Sequence, residues 1–420
     1  MALVDARRRA RAAYTTRFDR GAGPSGGARL REANQTSARS GGRVAALDGL
    51  RGVAALSVLV YHVWLYTTDD SGHPSTWHDH LLRQGYLGLV LFFVLSGYLL
   101  YSPWLRAALE RRGAPALCRY VRSRLARIAP GYYVALAGAS VLMLTANDAP
   151  GTKLIDFSQL PLFLVFAQNW SPDTLLRLDP PMWTLAIEAS FYVALPLIGL
   201  AAIRFARSRR RQLLLLLALV AAGVLTRALT ADYAASEPLL WSLPAYIDYF
   251  ACGMLAAVAV HDRTIGRTAG CALLAAGAAL VAGNAVVHAT LRDTAALQAV
   301  QDLPAALGLA VLIAVAAASR GRRRLLASRP LENLGRVSYG LYLWHLPVIV
   351  WMRGHGLFPN DLVLALAAVL PPALVAATAS WHLVERPALG RLRGRKPEPR
   401  RLPGPRQPAN ERRRPLAQAA

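Results

Sequence analysis

Lysine is all but missing from this sequence: Lys153 and Lys396 are the only two in 420 residues. Arginine carries the positive charge instead, with 48 Lys+Arg against 24 Asp+Glu and a formal net charge of +24. A nucleic-acid-binding domain gathers such charge on one folded face. Here the arginines sit in short stretches between long apolar runs, which argues against a nucleic-acid partner. Cysteine is scarce too. Cys118, Cys252 and Cys271 are odd in number and widely spaced, so neither a disulfide framework nor a thiolate metal site follows. Residues 1–43 hold Arg7, Arg8 and Arg9 but no apolar core, which argues against a cleaved signal peptide. No internal repeat stands out, which weakens an inverted-repeat transporter reading. The Lys-poor, Ala/Arg/Leu-heavy usage points to a high-GC bacterial genome.

What is present is apolar length. Hydrophobic residues make up 54% of the chain, more than a soluble protein of this size can hide. A spanning helix needs roughly 20 apolar residues. Ten stretches qualify: 46–66, 86–105, 129–146, 183–203, 212–230, 239–260, 269–288, 303–319, 337–352 and 361–384. The expected fold is an all-α integral membrane bundle of about ten transmembrane helices. Its core domain is 44–387, between disordered basic tails at 1–43 and 388–420. The run from Leu47 serves as an uncleaved anchor.

Charge gives the orientation. Alternate connections hold 41 of the 48 Lys+Arg. The other connections hold only Arg83, Lys153, Arg177, Arg227, Arg292 and Arg353, while acids such as Asp69, Asp179 and Asp302 lean to that side. Under the positive-inside rule both termini are cytoplasmic, in a multi-pass protein of the plasma membrane, with tails able to meet anionic lipid. Residues 159–170 are apolar but short. Counting them as a span would place the arginines of 204–211 outside, so they read as a re-entrant or interfacial piece of an outer loop.

Ionisable residues within spans default to functional hypotheses. They are Asp48, Arg51, His62, Glu188, Asp248, His345 and, near a helix end, Glu385. Arg51 and His62 are eleven residues apart. At 3.6 residues per turn they share one helix face, about 16 Å apart along the axis, with Arg51 toward the cytoplasm and Asp48 one turn below it. Alone, this pair is equally a buried histidine and a snorkelling arginine.

The motifs add specificity. LDGLRGVAALSVLVYH (47–62), GYLGLVLFFVLSGYLL (85–100), RLARIAPGYY (124–133), WTLAIEASFYVALP (183–196), LGRVSYGLYLWHLPV (334–348) and VERP (384–387) occur in order. Together they resemble the acyltransferase 3 family of membrane O-acyltransferases, over roughly 46–387. The resemblance implies transfer of an acyl group, acetyl above all, from cytoplasmic acyl-CoA to a hydroxyl. Sugars of surface glycans, glycolipids or secreted metabolites are the acceptors it implies. About 33 residues follow VERP, which fits the stand-alone form without a C-terminal hydrolase-like domain.

Roles follow from that resemblance. His62 is the expected general base, its unperturbed pKa near 6.5 suiting proton transfer, with a covalent acyl-histidine as the other route. Arg51 would bind the donor or stabilise the oxyanion, and Arg124 and Arg127 would hold its phosphates. Glu188 would orient His62, raise its basicity or bind the acceptor. Ser96, Ser338, Tyr339 and His345 would line the substrate cavity, while Glu385 and Arg386 fix structure. His73, His78 and His80 sit in a polar loop without a second motif, and no metal is expected. A transporter or flippase for a glycan or metabolite, and a receptor that has lost catalysis, are the competing readings.

Overall fold

A chain in lipid can satisfy its backbone only within a helix or a closed barrel, and the long apolar runs have helical length. The computed structural model describes residues 24–68, 76–146, 153–230, 237–290, 294–319 and 323–392. Among these residues there is no strand, only one isolated bridge between Ile265 and Ser319. Ten long helices follow in order: α1 (Pro24–Thr67), α2 (Leu87–Leu109), α3 (Leu117–Leu144), α4 (Trp183–Phe205), α5 (Arg209–Thr230), α6 (Leu243–Val260), α7 (Arg267–Thr290), α8 (Leu303–Ala318), α9 (Arg329–Gly354) and α10 (Leu362–Ser380). The chain is a multi-pass membrane protein.

Nine helical segments among the described residues are long and apolar enough to cross a membrane. The expected span 337–352 lies in α9, which is not one of them. Its 26 residues reach about 39 Å, but its first turns carry Arg329, Glu332 and Arg336. Its inward face holds Ser338, Tyr339, Tyr342 and His345, all buried. The span is polar because it is central. It lies along α1 so closely that a Cβ on Gly335 would fall 1.9 Å from the Asp48 carbonyl oxygen.

From this central pair the packing spreads in two directions. On one side α9 meets α10 and α3; on the other α1 meets α2, which packs on α4 and α6, and α6 packs on α5 and α8. Outer helices show leucine and valine outward, for instance Leu197, Leu214 and Val375. In lipid such exposure costs nothing.

The helices extend beyond the apolar runs. α1 begins at Pro24, before the expected start of its span, and a short helix, Arg386–Leu392, begins within VERP and runs past it. An apolar run fixes where lipid ends, not where a helix does. Residues 1–23 and 393–420, most of the two expected tails, lie outside the described residues. Residues 159–170 do not cross. They form a short helix, Leu160–Leu164, between 3₁₀ turns, anchored where Tyr132 Oη donates to Phe163 O at 2.9 Å and Phe166 stacks on Tyr132 at 4.2 Å.

Arg227 is a correction. Reckoned with the outer loops from its place at the end of an apolar run, it instead lies inside α5 and pairs with Asp248 of α6. Nη1 donates to Oδ1 at 2.9 Å and Nη2 to Oδ2 at 2.8 Å, with both side chains 0% exposed. A buried charge keeps its ionised form only with such a partner.

Candidate active site

The α1–α9 contact brings together two histidines 283 positions apart. His345 Nε2 lies 3.1 Å from His62 Nδ1, with ring centroids 4.9 Å apart. Backbone carbonyls fix the protons. His345 Nδ1 faces Leu341 O at 3.1 Å, and His62 Nδ1 faces Val58 O at 3.0 Å. A carbonyl only accepts, so in the neutral rings each Nδ1 carries its hydrogen. His345 Nε2 is then a lone pair that shares the one His62 Nδ1–H with Val58 O in a three-centre arrangement. His62 Nε2 is left as a free lone pair, with no hydrogen-bond partner among the described residues.

Arg51, on the same face of α1, lines a narrow cavity of about 40 Å³ with Ser96, Thr184, Glu188, Tyr339 and Tyr342, room for roughly three waters. Its guanidinium stands over Phe92 at 5.9 Å and makes no hydrogen bond or ion pair with a described residue. Glu188 accepts from Ser96 Oγ at 2.9 Å and Tyr192 Oη at 2.7 Å. The α2–α4 packing therefore draws Glu188 to Ser96, and no hydrogen bond joins it to His62. The side chain within hydrogen-bond distance of His62 is His345 and not Glu188. Thr184 and Tyr342 share a hydrogen bond at 2.9 Å. The Tyr342 ring lies 5.9 Å from His345, so the cavity ends short of the two histidines.

The remaining site residues divide. Tyr339 lines the cavity while its hydroxyl donates to Ile128 O at 2.7 Å. Arg127 stands over the Tyr339 ring at 5.6 Å, and its Nη1 lies 3.9 Å from Glu385 Oε2. A π-helical turn, Trp381–Glu385, delivers that buried acid. Arg124 stands over Tyr192 at 5.7 Å. Ser338 does not line the cavity: it is fully buried and its hydroxyl donates to Gly335 O at 2.8 Å.

Two clusters escaped the sequence reading. At the His62 end, Asp302 Oδ1 accepts from Tyr86 Oη, from Asn284 Nδ2 at 2.9 Å and faces His288 Nε2 at 3.0 Å. Tyr86 approaches Tyr61, the neighbour of His62, at 6.1 Å. At the Arg51 end, ligand-type atoms of Glu110, His261 and Asp262 come within 4.8 Å of one another. Glu110 is ion-paired there with Arg112 at 2.6 Å, which makes this a surface charge network. Of the loop histidines, His73 lies outside the described residues and His78 packs on Trp77 at 3.7 Å.

Comparison with known proteins supplies a family. The family model described as an acyltransferase domain matches residues 44–382. The chain is 28% identical over 383 residues to acyltransferase MdmB of Streptomyces mycarofaciens, covering 84% of this chain and 94% of that one. It is 27% identical to the putative peptidoglycan O-acetyltransferase YrhL of Bacillus subtilis, over 81% of this chain and 54% of the relative. It is 23% identical to the peptidoglycan O-acetyltransferase OatA of Listeria monocytogenes, over 73% and 49%. The chain thus spans nearly all of MdmB but about half of the other two. No solved structure matches.

Proposed function

Because the chain belongs to the acyltransferase 3 family and is an acyltransferase, we propose that it moves an acetyl group from cytoplasmic acetyl-CoA to a sugar hydroxyl of a glycan, glycolipid or secreted metabolite, with His62 as general base. The observation that carries this reading is the His345–His62 pair, which leaves His62 Nε2 as a lone pair without a partner among the described residues. In the reaction His62 Nε2 takes the acceptor's proton. The acceptor oxygen forms an ester bond at the thioester carbonyl, the C–S bond breaks, and the departing thiolate takes the proton from His62. His345 accepts from Nδ1–H throughout and holds the ring in the useful tautomer, as an orienting partner does for other catalytic histidines.

Arg51 is the cation placed to draw the donor inward, since its guanidinium has no competing ion pair among the described residues. Arg127 and Arg124 would meet the donor's phosphates, and Glu188, held by Ser96 and Tyr192, would balance Arg51. The arginine-rich connections support a cytoplasmic position for the Arg51 end, in the plasma membrane. The acceptor would then approach from the His62 end, where Tyr86, Asn284, His288 and Asp302 offer hydroxyl-binding groups. The names of two relatives, both given as peptidoglycan O-acetyltransferases, support a carbohydrate acceptor. The test is incubation of membranes containing the chain with acetyl-labelled acetyl-CoA. Label appearing in a base-labile ester, with free thiol released in equal amount, supports the reading; thiol release no higher than in membranes without the chain refutes it.

A further inference from the structure

A second and larger cavity, of about 410 Å³, lies at the Arg51 end between α1, α2 and α6. A helix crossing explains it. Gly97 of α2 and Gly253 of α6 meet backbone to backbone. A Cβ on Gly97 would fall 2.0 Å from Phe250 O, and one on Gly253 1.9 Å from Val94 O. Helices that touch at such a point splay away from it. Beyond the crossing, Leu99, Ser102 and Pro103 of α2 face Ala257 of α6 across the gap.

The two cavities are in line. Arg51 and Ser96 line the smaller, Asp48 and Leu99 the larger. Asp48 is three residues before Arg51 and Leu99 three after Ser96, each about 4.5 Å along its helix. The helices run antiparallel, since Gly85 meets Ser57 while Gly88 meets Ala54, so both steps lead in one direction, toward the Arg51 end.

Two features bear on the occupant. Its ionisable wall sets Arg106 and His261 against Asp48 and Asp262, with no excess of cations and so a poor setting for phosphate. Pro103 has no N–H to offer the carbonyl of Leu99, one turn earlier. Both residues line the cavity, so a backbone acceptor without its usual helical donor lies in this stretch of α2. An uncharged chain with amide N–H donors fits this wall; a phosphate does not.

We propose that this cavity holds the pantetheine arm of the acyl donor, with an amide N–H donating to the Leu99 carbonyl and the thioester directed past Arg51. The inference rests on the acyl-CoA reading above. It places the arm on the α2–α6 side and leaves the phosphates to arginines outside the cavity.

The experiment compares two probes on the purified full chain: acetyl-CoA, and adenosine 3′,5′-bisphosphate, which carries phosphates but no arm. Ser102→Phe and the milder Ala257→Leu fill the cavity. Both should weaken acetyl-CoA binding about tenfold or more, a change of 1.4 kcal/mol or above, while the bisphosphate binds as in the wild type and so reports an intact fold. In a Cys118→Ser, Cys271→Ser background, acetyl-CoA should also protect Ser102→Cys from maleimide, which tests the site without filling it. Unchanged acetyl-CoA affinity in the filled variants, or no protection, overturns the proposal. Loss of a co-purifying lipid with unchanged acetyl-CoA affinity makes it a lipid site instead. A wild type that binds neither probe overturns the acyl-CoA reading itself.

Discussion

His345 Nε2 stands 3.1 Å from His62 Nδ1, and each ring has its own Nδ1 facing a carbonyl one turn earlier in its helix. In the proposed reaction this contact would give His345 a positioning role that a cavity-lining side chain lacks. His345→Ala should lower kcat on the order of 10²-fold with little change in the KM for acetyl-CoA, as loss of an orienting partner does. His345→Gln should recover part of the rate, because its amide oxygen can accept from Nδ1–H. Equal loss in both variants would make the role one of packing alone.

Arg51 should behave as a donor-binding cation. Arg51→Ala is expected to raise the KM for acetyl-CoA at least tenfold, about 1.4 kcal/mol. Arg51→Lys should rescue little, since a point charge lacks the planar fork and its stacking on Phe92. Steady-state kinetics in detergent separates these outcomes from a kcat effect.

The Arg227–Asp248 pair should matter to assembly and not to chemistry. Either single alanine variant leaves a buried charge without its partner, a cost of about 3–5 kcal/mol. Thermal unfolding and yield from membranes should fall sharply for both. An Arg227→Met, Asp248→Leu double variant should recover much of the loss.

Asp179 lies just before the 3₁₀ turn at the start of α4, 1% exposed. Neither carboxylate oxygen has a hydrogen-bond partner among the described residues. Burial holds its carboxyl well above the usual value of 3.8. The folded state therefore binds this proton more tightly than the unfolded chain. Stability from this group is greatest below the ordinary carboxyl range and is lost as pH rises through the elevated value. Asp179→Asn should raise the melting temperature near pH 7–8, with the gain shrinking toward pH 4. A gain independent of pH would contradict the assignment.

Much of this was legible in sequence, and the gaps have physical causes. Arg51 and His62 could be placed on one face because helix periodicity is local. The partner of His62 could not, because it depends on how α9 docks along α1 across 283 positions. His345 was recognisable as an unusual residue in a span, but its function was not. Glu188 was expected to serve His62 or the acceptor, whereas the α2–α4 packing sets it against Ser96. Arg227 and Asp248 carried a signal that was available: opposite charges in two neighbouring apolar runs. The larger cavity had only a faint trace, two glycines whose partners on the facing helix no spacing rule gives.

The most direct test is the rate of acetyl transfer by membranes holding equal amounts of wild type and His62→Ala. A general base is worth typically 10²–10⁴-fold, and a loss in that range, with acetyl-CoA binding intact, is the expected result. Transfer by His62→Ala at the wild-type rate would contradict the assignment of His62 as the base.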